Sequence, residues 1–124
     1  MALLAKVSVR QWPELFTEQL LSRLPALTDC QSAGTLRSVF AGRDVLIASP
    51  GPSLVDSLAD LKANRGRFLL VAPIRSLLTL LNSEIVPDFA FHVDGTDFSK
   101  IIPPHPLLKQ IPLICTDYAH HSVF

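Results

Sequence analysis

Long apolar runs are missing from this sequence. Its longest stretch without a charged side chain runs from Val45 to Val55, and Pro50, Gly51 and Pro52 interrupt it. A membrane-spanning helix needs about 20 uninterrupted apolar residues, so no span is expected. A surplus of charge is missing too, because 11 Lys and Arg balance 11 Asp and Glu. That balance argues against a nucleic-acid binder, which needs excess positive charge, and no polybasic segment offers itself to anionic lipid. Cysteine is scarce: Cys30 and Cys115 stand far apart and read as free thiols in a reducing compartment. The opening Met-Ala-Leu-Leu-Ala is cut off by Lys6 before it reaches the length of a secretory apolar region. A cytoplasmic protein is therefore expected. Gly-x-Gly-x-x-Gly and Walker patterns are absent, as are zinc-ligand spacing and a nucleophile elbow. No cofactor and no metal site is expected, and no catalytic residue is assigned.

What is present fits one globular domain. The 124 residues are 48% apolar and 18% charged. That is enough apolar material to collapse around a single core, and too short a chain for two.

Residues 12–24 carry Trp12, Phe16, Leu20 and Leu24 at four-residue spacing, with Leu15 beside them, and so predict an amphipathic helix. Pro13 suits its first turn and Pro25 its end. Residues 35–41 suggest a further helical segment closed near Gly42. From residue 43 the pattern changes. Residues 44–49, 68–72, 89–93 and 111–115 are short apolar runs that read as buried strands. Residues 53–64 and 74–83 have helical spacing, and Ser53 and Asp56 make a capping-box-like start. Strands alternating with helices predict an α/β fold: a Rossmann-like three-layer sandwich with a short, mostly parallel sheet. The expected strand order is third, second, first, fourth, with the topological switch point beside Gly51. Residues 1–42 read as a helical N-terminal segment and 43–124 as the nucleotide-binding unit. Residues 116–124 look like the opening of another helix, so the chain reads as an incomplete or truncated domain. An open sheet edge or uncovered face predicts self-association into a homo-oligomer.

Ligands of open parallel sheets bind outside the carboxyl ends of the strands. Three segments fall there. Gly51, Pro52, Ser53 and Leu54 form the first strand-to-helix turn, where a residue without a Cβ and free helix amides suit a phosphate. The ordinary alternative is a turn glycine and a capping serine. Arg75 and Ser76 follow the second strand; an arginine in a first helical turn opposes the dipole and suits an anion, or is simply a solvated surface residue. Asp94, in Asp94-Gly-Thr-Asp97, could accept from ligand hydroxyls, help hold a metal, or close an Asx-turn. His92 reads as a core histidine and His105 as part of a proline-rich connector. His120 and His121 follow the fourth strand, where a surface role is the simpler reading.

The order strand, Gly51-Pro-Ser-Leu54, helix, Phe68-Leu-Leu-Val-Ala72, helix, then Ile85-Val-Pro-Asp88 leading into a strand closed by Asp94, resembles the bacterial motility accessory factor family. The resemblance covers residues 43–94 and more loosely extends to 117. It implies a sialyltransferase-like central domain that binds a nucleotide or nucleotide-sugar. It also implies transfer of a sialic-acid-like nonulosonic acid from a CMP donor to flagellin, with Gly51 and Ser53 at the phosphate and Asp94 at the cleft mouth. A distant relative with a similar core is the archaeal hydroxymethylpterin pyrophosphokinase. The implied alternatives are therefore pyrophosphoryl transfer to a pterin, or a non-catalytic interaction domain. Two positions depart from the motility pattern: Pro73 stands where a small or polar residue is usual, and Glu84 where a glycine usually precedes Ile85.

Overall fold

Val45–Ile47 (β1), Leu69–Pro73 (β2), Phe89–His92 (β3) and Leu113–Cys115 (β4) form one parallel sheet in a computed structural model. The structure describes residues 2–95, 97–100, 102, 104–120 and 122, with side chains from residue 12 onward. Pro52–Ala63 (α2) links β1 to β2, and Ile74–Asn82 (α3) links β2 to β3. Ala2–Leu27 (α1) precedes the sheet. This is a Rossmann-like α/β sandwich, as the alternation of strands and helices predicts.

The strand order is β1-β2-β3-β4, which corrects the expected third-second-first-fourth arrangement. Strand β4 joins the far side of β3 because the connector before it is anchored there. Ile102, Leu107, Leu108 and Ile111 pack with Ile74, Leu77 and Ala90 of the core. The connector thus covers the same sheet face as α3 and delivers Leu113 beside Ala90. Strands added steadily in one direction by right-handed crossovers place all their connections on one face. No reversal of order arises, so no switch point lies beside Gly51; that turn sits at the sheet edge. After β4, residues 117–119 make a turn and a bend where the opening of a further helix was expected.

Register and burial agree on two faces. Leu46 pairs with Leu70, and Ala72 with Ala90. These residues and Ala48 meet Leu54 and Leu61 of α2 and Ile74, Leu77, Leu80 and Leu81 of α3 in one core. On the opposite face Phe40 packs edge-on against Phe89, 5.6 Å between centroids. That cover does not reach β1, where Val45 and Ile47 stay 57% and 59% exposed. The expectation of a first strand buried on both faces fails for this reason.

Helix α1 runs past both prolines that were expected to bound it. The Pro25 carbonyl accepts from Thr28 Oγ1 at 2.8 Å, and turns from Ala26 and Leu27 close the end. Its inner face also differs from the apolar stripe. Leu24 is exposed and Trp12 is 43% exposed, while Gln19 and Arg23 are buried. Arg23 Nη1 donates to the carbonyls of Ala119 (2.9 Å) and Thr116 (3.3 Å), which follow β4 and need donors. Residues 35 and 36 end a short 3-10 helix, Ala33–Leu36, while 37–41 are turns, and Gly42 takes the left-handed conformation (φ 77°) expected of a closing glycine.

Candidate functional site

The turn after β1 is built by two prolines. Gly51 is the N-cap residue of α2 in extended backbone (φ 173°), Pro52 takes the first helical position, and no side chain caps the end. Ser53 therefore lies inside the helix, not at its cap, because the fixed φ of Pro52 starts the helix one step earlier. Pro50 and Pro52 carry no N–H, and the Leu54 N–H is taken by Gly51 O at 3.1 Å. The amides of Gly51 and Ser53 are left as the donors of this turn. A Cβ built on Gly51 would meet nothing within 4 Å, so the space above the turn is open. Leu54 contributes neither its amide nor its side chain, which is buried in the core.

Arg75 and Ser76 diverge. Arg75 is exposed and its guanidinium lies 5.0 Å above the Phe98 ring. That cation–π contact answers the unfavourable helix dipole without requiring an anion. Ser76 is fully buried and its hydroxyl has no hydrogen-bond partner among the described residues. His92 ends β3 beneath the same Phe98, 4.6 Å between ring centroids, and its Nε2 is likewise buried and unpartnered among them. Burial pushes the His92 pKa down. A hydrogen bond with the Asp94 backbone and the Asp94 charge oppose that shift, and the charges of Arg75 and His120 reinforce it. Asp94 is half-buried beside His92.

The loop after β3 is tied to the segment after β4. Ser122 Oγ accepts from the Phe98 N–H (3.1 Å) and contacts His120 Nδ1 (2.9 Å), which lies 3.7 Å from Asp97 Oδ1. The Ser99 N–H, 2.8 Å from Asp97 Oδ1, is the main reason that the Asp97 pKa falls to about 2. His105 is a capping residue: its Nδ1 accepts from the Leu107 N–H. His121 lies outside the described residues.

Two features escape sequence reasoning. Phe98 is buried and collects Arg75 and His92, yet nothing in its spacing marks it. Helix α1 crosses the carboxyl ends of β3 and β4: Phe16 stacks on Tyr118 at 4.2 Å and closes against Gly95. The motif aspartate Asp88 works at the opposite end, accepting from the Leu70 N–H (2.7 Å) and Arg65 (2.8 Å). It clamps the starts of β2 and β3 and takes no part in the candidate site.

The structure thus brings Arg75, His92, Asp94 and Phe98 to one place at the ends of β2 and β3. The Gly51–Ser53 turn follows the neighbouring edge strand β1. Grooves of 530, 500 and 230 Å3 lie beside α2, beside β4 and beside α3, and none of these three is lined by Gly51, Ser53, Arg75 or Asp94. No group of three or more His, Cys, Asp or Glu that could hold a metal occurs among the described residues, and no helix among them is long and apolar enough to cross a membrane.

No curated protein and no solved structure matches the chain. A family model does: 6-hydroxymethylpterin diphosphokinase MptE-like, over residues 18–124. This family is related to the motility accessory factors but distinct from them. The match spans the sheet, α2, α3 and the carboxyl-end cluster, and on that evidence the chain belongs to the MptE-like family.

Proposed function

We propose that this chain binds a nucleoside triphosphate and a hydroxymethylpterin and supports diphosphoryl transfer between them. The family match over residues 18–124 carries this reading, and it favours it over transfer of a nonulosonic acid. In the reaction the pterin hydroxymethyl oxygen bonds to the β-phosphorus and the bond from that phosphorus to the α-phosphate bridge oxygen breaks. The nucleoside monophosphate leaves, and the hydroxymethyl proton passes to a base or water.

Catalysis of phosphoryl transfer is mainly positioning and charge neutralisation. Arg75 supplies the cation at the end of β2, and the Gly51 and Ser53 amides supply donors at the N-terminus of α2. A magnesium ion in such reactions is held largely by substrate phosphates with one or two carboxylates. Asp94 and Asp97, which follow β3, would be the carboxylates for such an ion, and the ion would neutralise charge on the phosphate oxygens.

Thermal shift and calorimetry test the reading. A nucleoside triphosphate with magnesium should stabilise the chain, a 6-hydroxymethylpterin should add to the effect, and CMP should not. Arg75→Ala should weaken nucleotide binding roughly ten- to a hundredfold, the range of one charged hydrogen bond. Stabilisation by CMP alone, or by none of these ligands, would overturn the proposal.

A further inference from the structure

Strand β1 ends the sheet, and its outer edge is unpaired among the described residues. The Asp44 carbonyl and the Ala48 N–H bond inward to Leu69 and Val71 of β2. Strand alternation then turns the backbone groups of Val45 and Ile47 outward. Ile47 O accepts from Ser49 N at 3.2 Å and still has a second lone pair. The flanking surfaces are apolar on both sides. Val45 and Ile47 are 57% and 59% exposed on one face. On the other, Leu46 borders the 530 Å3 groove with Leu61 and Phe68, and Asp44, Asp60 and Arg67 stand at the rim.

We propose that two copies of this chain join at β1 in an antiparallel pair about a two-fold axis, making one continuous sheet. The edge calls for a strand that is apolar on both faces, and Val45-Leu-Ile-Ala48 is itself such a strand. An isologous pairing centred on Leu46 sets Val45 opposite Ile47 of the second copy, and Ile47 opposite its Val45. These pairs exchange the outward backbone hydrogen bonds and cover each other's exposed side chains. Leu46 meets its own copy over the two grooves. Asp44 falls opposite Ala48 and Arg43 opposite Ser49, so no like charges face each other. The rim of two carboxylates and one guanidinium makes no strong demand for a charged partner. Antiparallel additions at the edge of an otherwise parallel sheet are common.

Light scattering across a concentration series should give twice the 13.6 kDa chain mass. Val45→Lys with Ile47→Lys should return the monomer with an unchanged circular dichroism spectrum, because both side chains already face solvent and edge lysines block strand pairing. Val55→Lys, at a 60% exposed position of α2, should leave the dimer intact. A second measurement covers the case in which the lysine variant unfolds. Leu46→Cys in a Cys30→Ser background should cross-link two copies at position 46 under mild oxidation, mapped by peptide mass. Non-hydrogen-bonded antiparallel partners sit about 4.5 Å apart at Cα, within disulfide range. A monomeric wild type, a dimer that survives both lysines, or a dimer that does not cross-link at position 46 would each overturn the proposal.

Discussion

Gly95 and Gly51 show what a single missing Cβ does in two settings. A Cβ on Gly95 would lie 2.8 and 2.9 Å from two Phe16 ring carbons and 3.3 Å from Tyr118 O. Gly95→Ala should cost about 1–3 kcal/mol, an overpacking penalty measurable by urea denaturation. Gly51→Ala should change stability by less than about 0.5 kcal/mol, since its Cβ enters open space and its backbone is extended. Glu84 is the converse. Its φ of 60° is left-handed, and Ile85 N donates to Leu80 O to close the end of α3. A glycine would take this conformation without a Cβ penalty. Glu84→Gly should raise the melting temperature by a few degrees, because relief of backbone strain exceeds the loss of an exposed ion pair with Lys62. His92 predicts a pH effect. Burial holds its pKa below the unfolded value, so the unfolded state binds more protons as pH falls. Stability is therefore complete above the unfolded pKa and declines as pH drops from about 7 towards 5. His92→Leu should flatten that slope in melting curves. Asp97 contributes none of it: its stabilisation is lost only as pH falls from its ordinary value near 3.8 towards about 2.

At the scale of elements, helix α2 separates capping from packing. Ser53 stands inside the helix and Leu54 in the core. Ser53→Ala should cost less than the roughly 0.5–2 kcal/mol typical of a lost cap, whereas Leu54→Ala should cost about 2–5 kcal/mol; chemical denaturation of both variants checks the order. A larger loss for Ser53 would return it to the cap. The alternation of helices and strands was legible throughout because buried strands in a parallel sheet are continuous apolar runs between amphipathic helices. The ends were less legible. Proline fixes φ but does not fix which position it occupies, so Pro52 began α2 early and Pro13 and Pro25 lay within α1.

For the whole molecule, α1 is held to the sheet by a buried cation. Arg23→Ala would leave the carbonyls of Ala119 and Thr116 without this donor. The loss should be about 1.5–3 kcal/mol for such a charged hydrogen bond. Hydrogen exchange should show α1 opening before the β2–β3 pair does. If exchange in α1 is unchanged in that variant, Arg23 does not anchor the helix. The same contact explains why the apolar stripe misled. Of that stripe Trp12 and Leu24 stay exposed and Leu15, Phe16 and Leu20 are half-buried, while the helix turns Gln19 and Arg23 inward and Arg23 meets the backbone after β4. A periodicity reports which side chains favour burial, not which unpaired carbonyls a helix will find.

Fold class, the parallel alternation of strands and helices, and the candidate residues at the carboxyl ends of the strands were all readable from the order of residues alone. They follow from local periodicity and from the chirality of crossovers, both of which are properties of short segments. The strand order, the edge position of β1, and which candidates meet came from packing in three dimensions. Arg75 and His92 meet at Phe98 with Asp94 beside His92, while Gly51 and Ser53 follow the edge strand β1. Those outcomes depend on contacts between residues far apart in the chain. Ile102, Leu107 and Leu108 against α3 carry β4 to the far side of β3, and no local pattern encodes the partner that a buried apolar residue will choose.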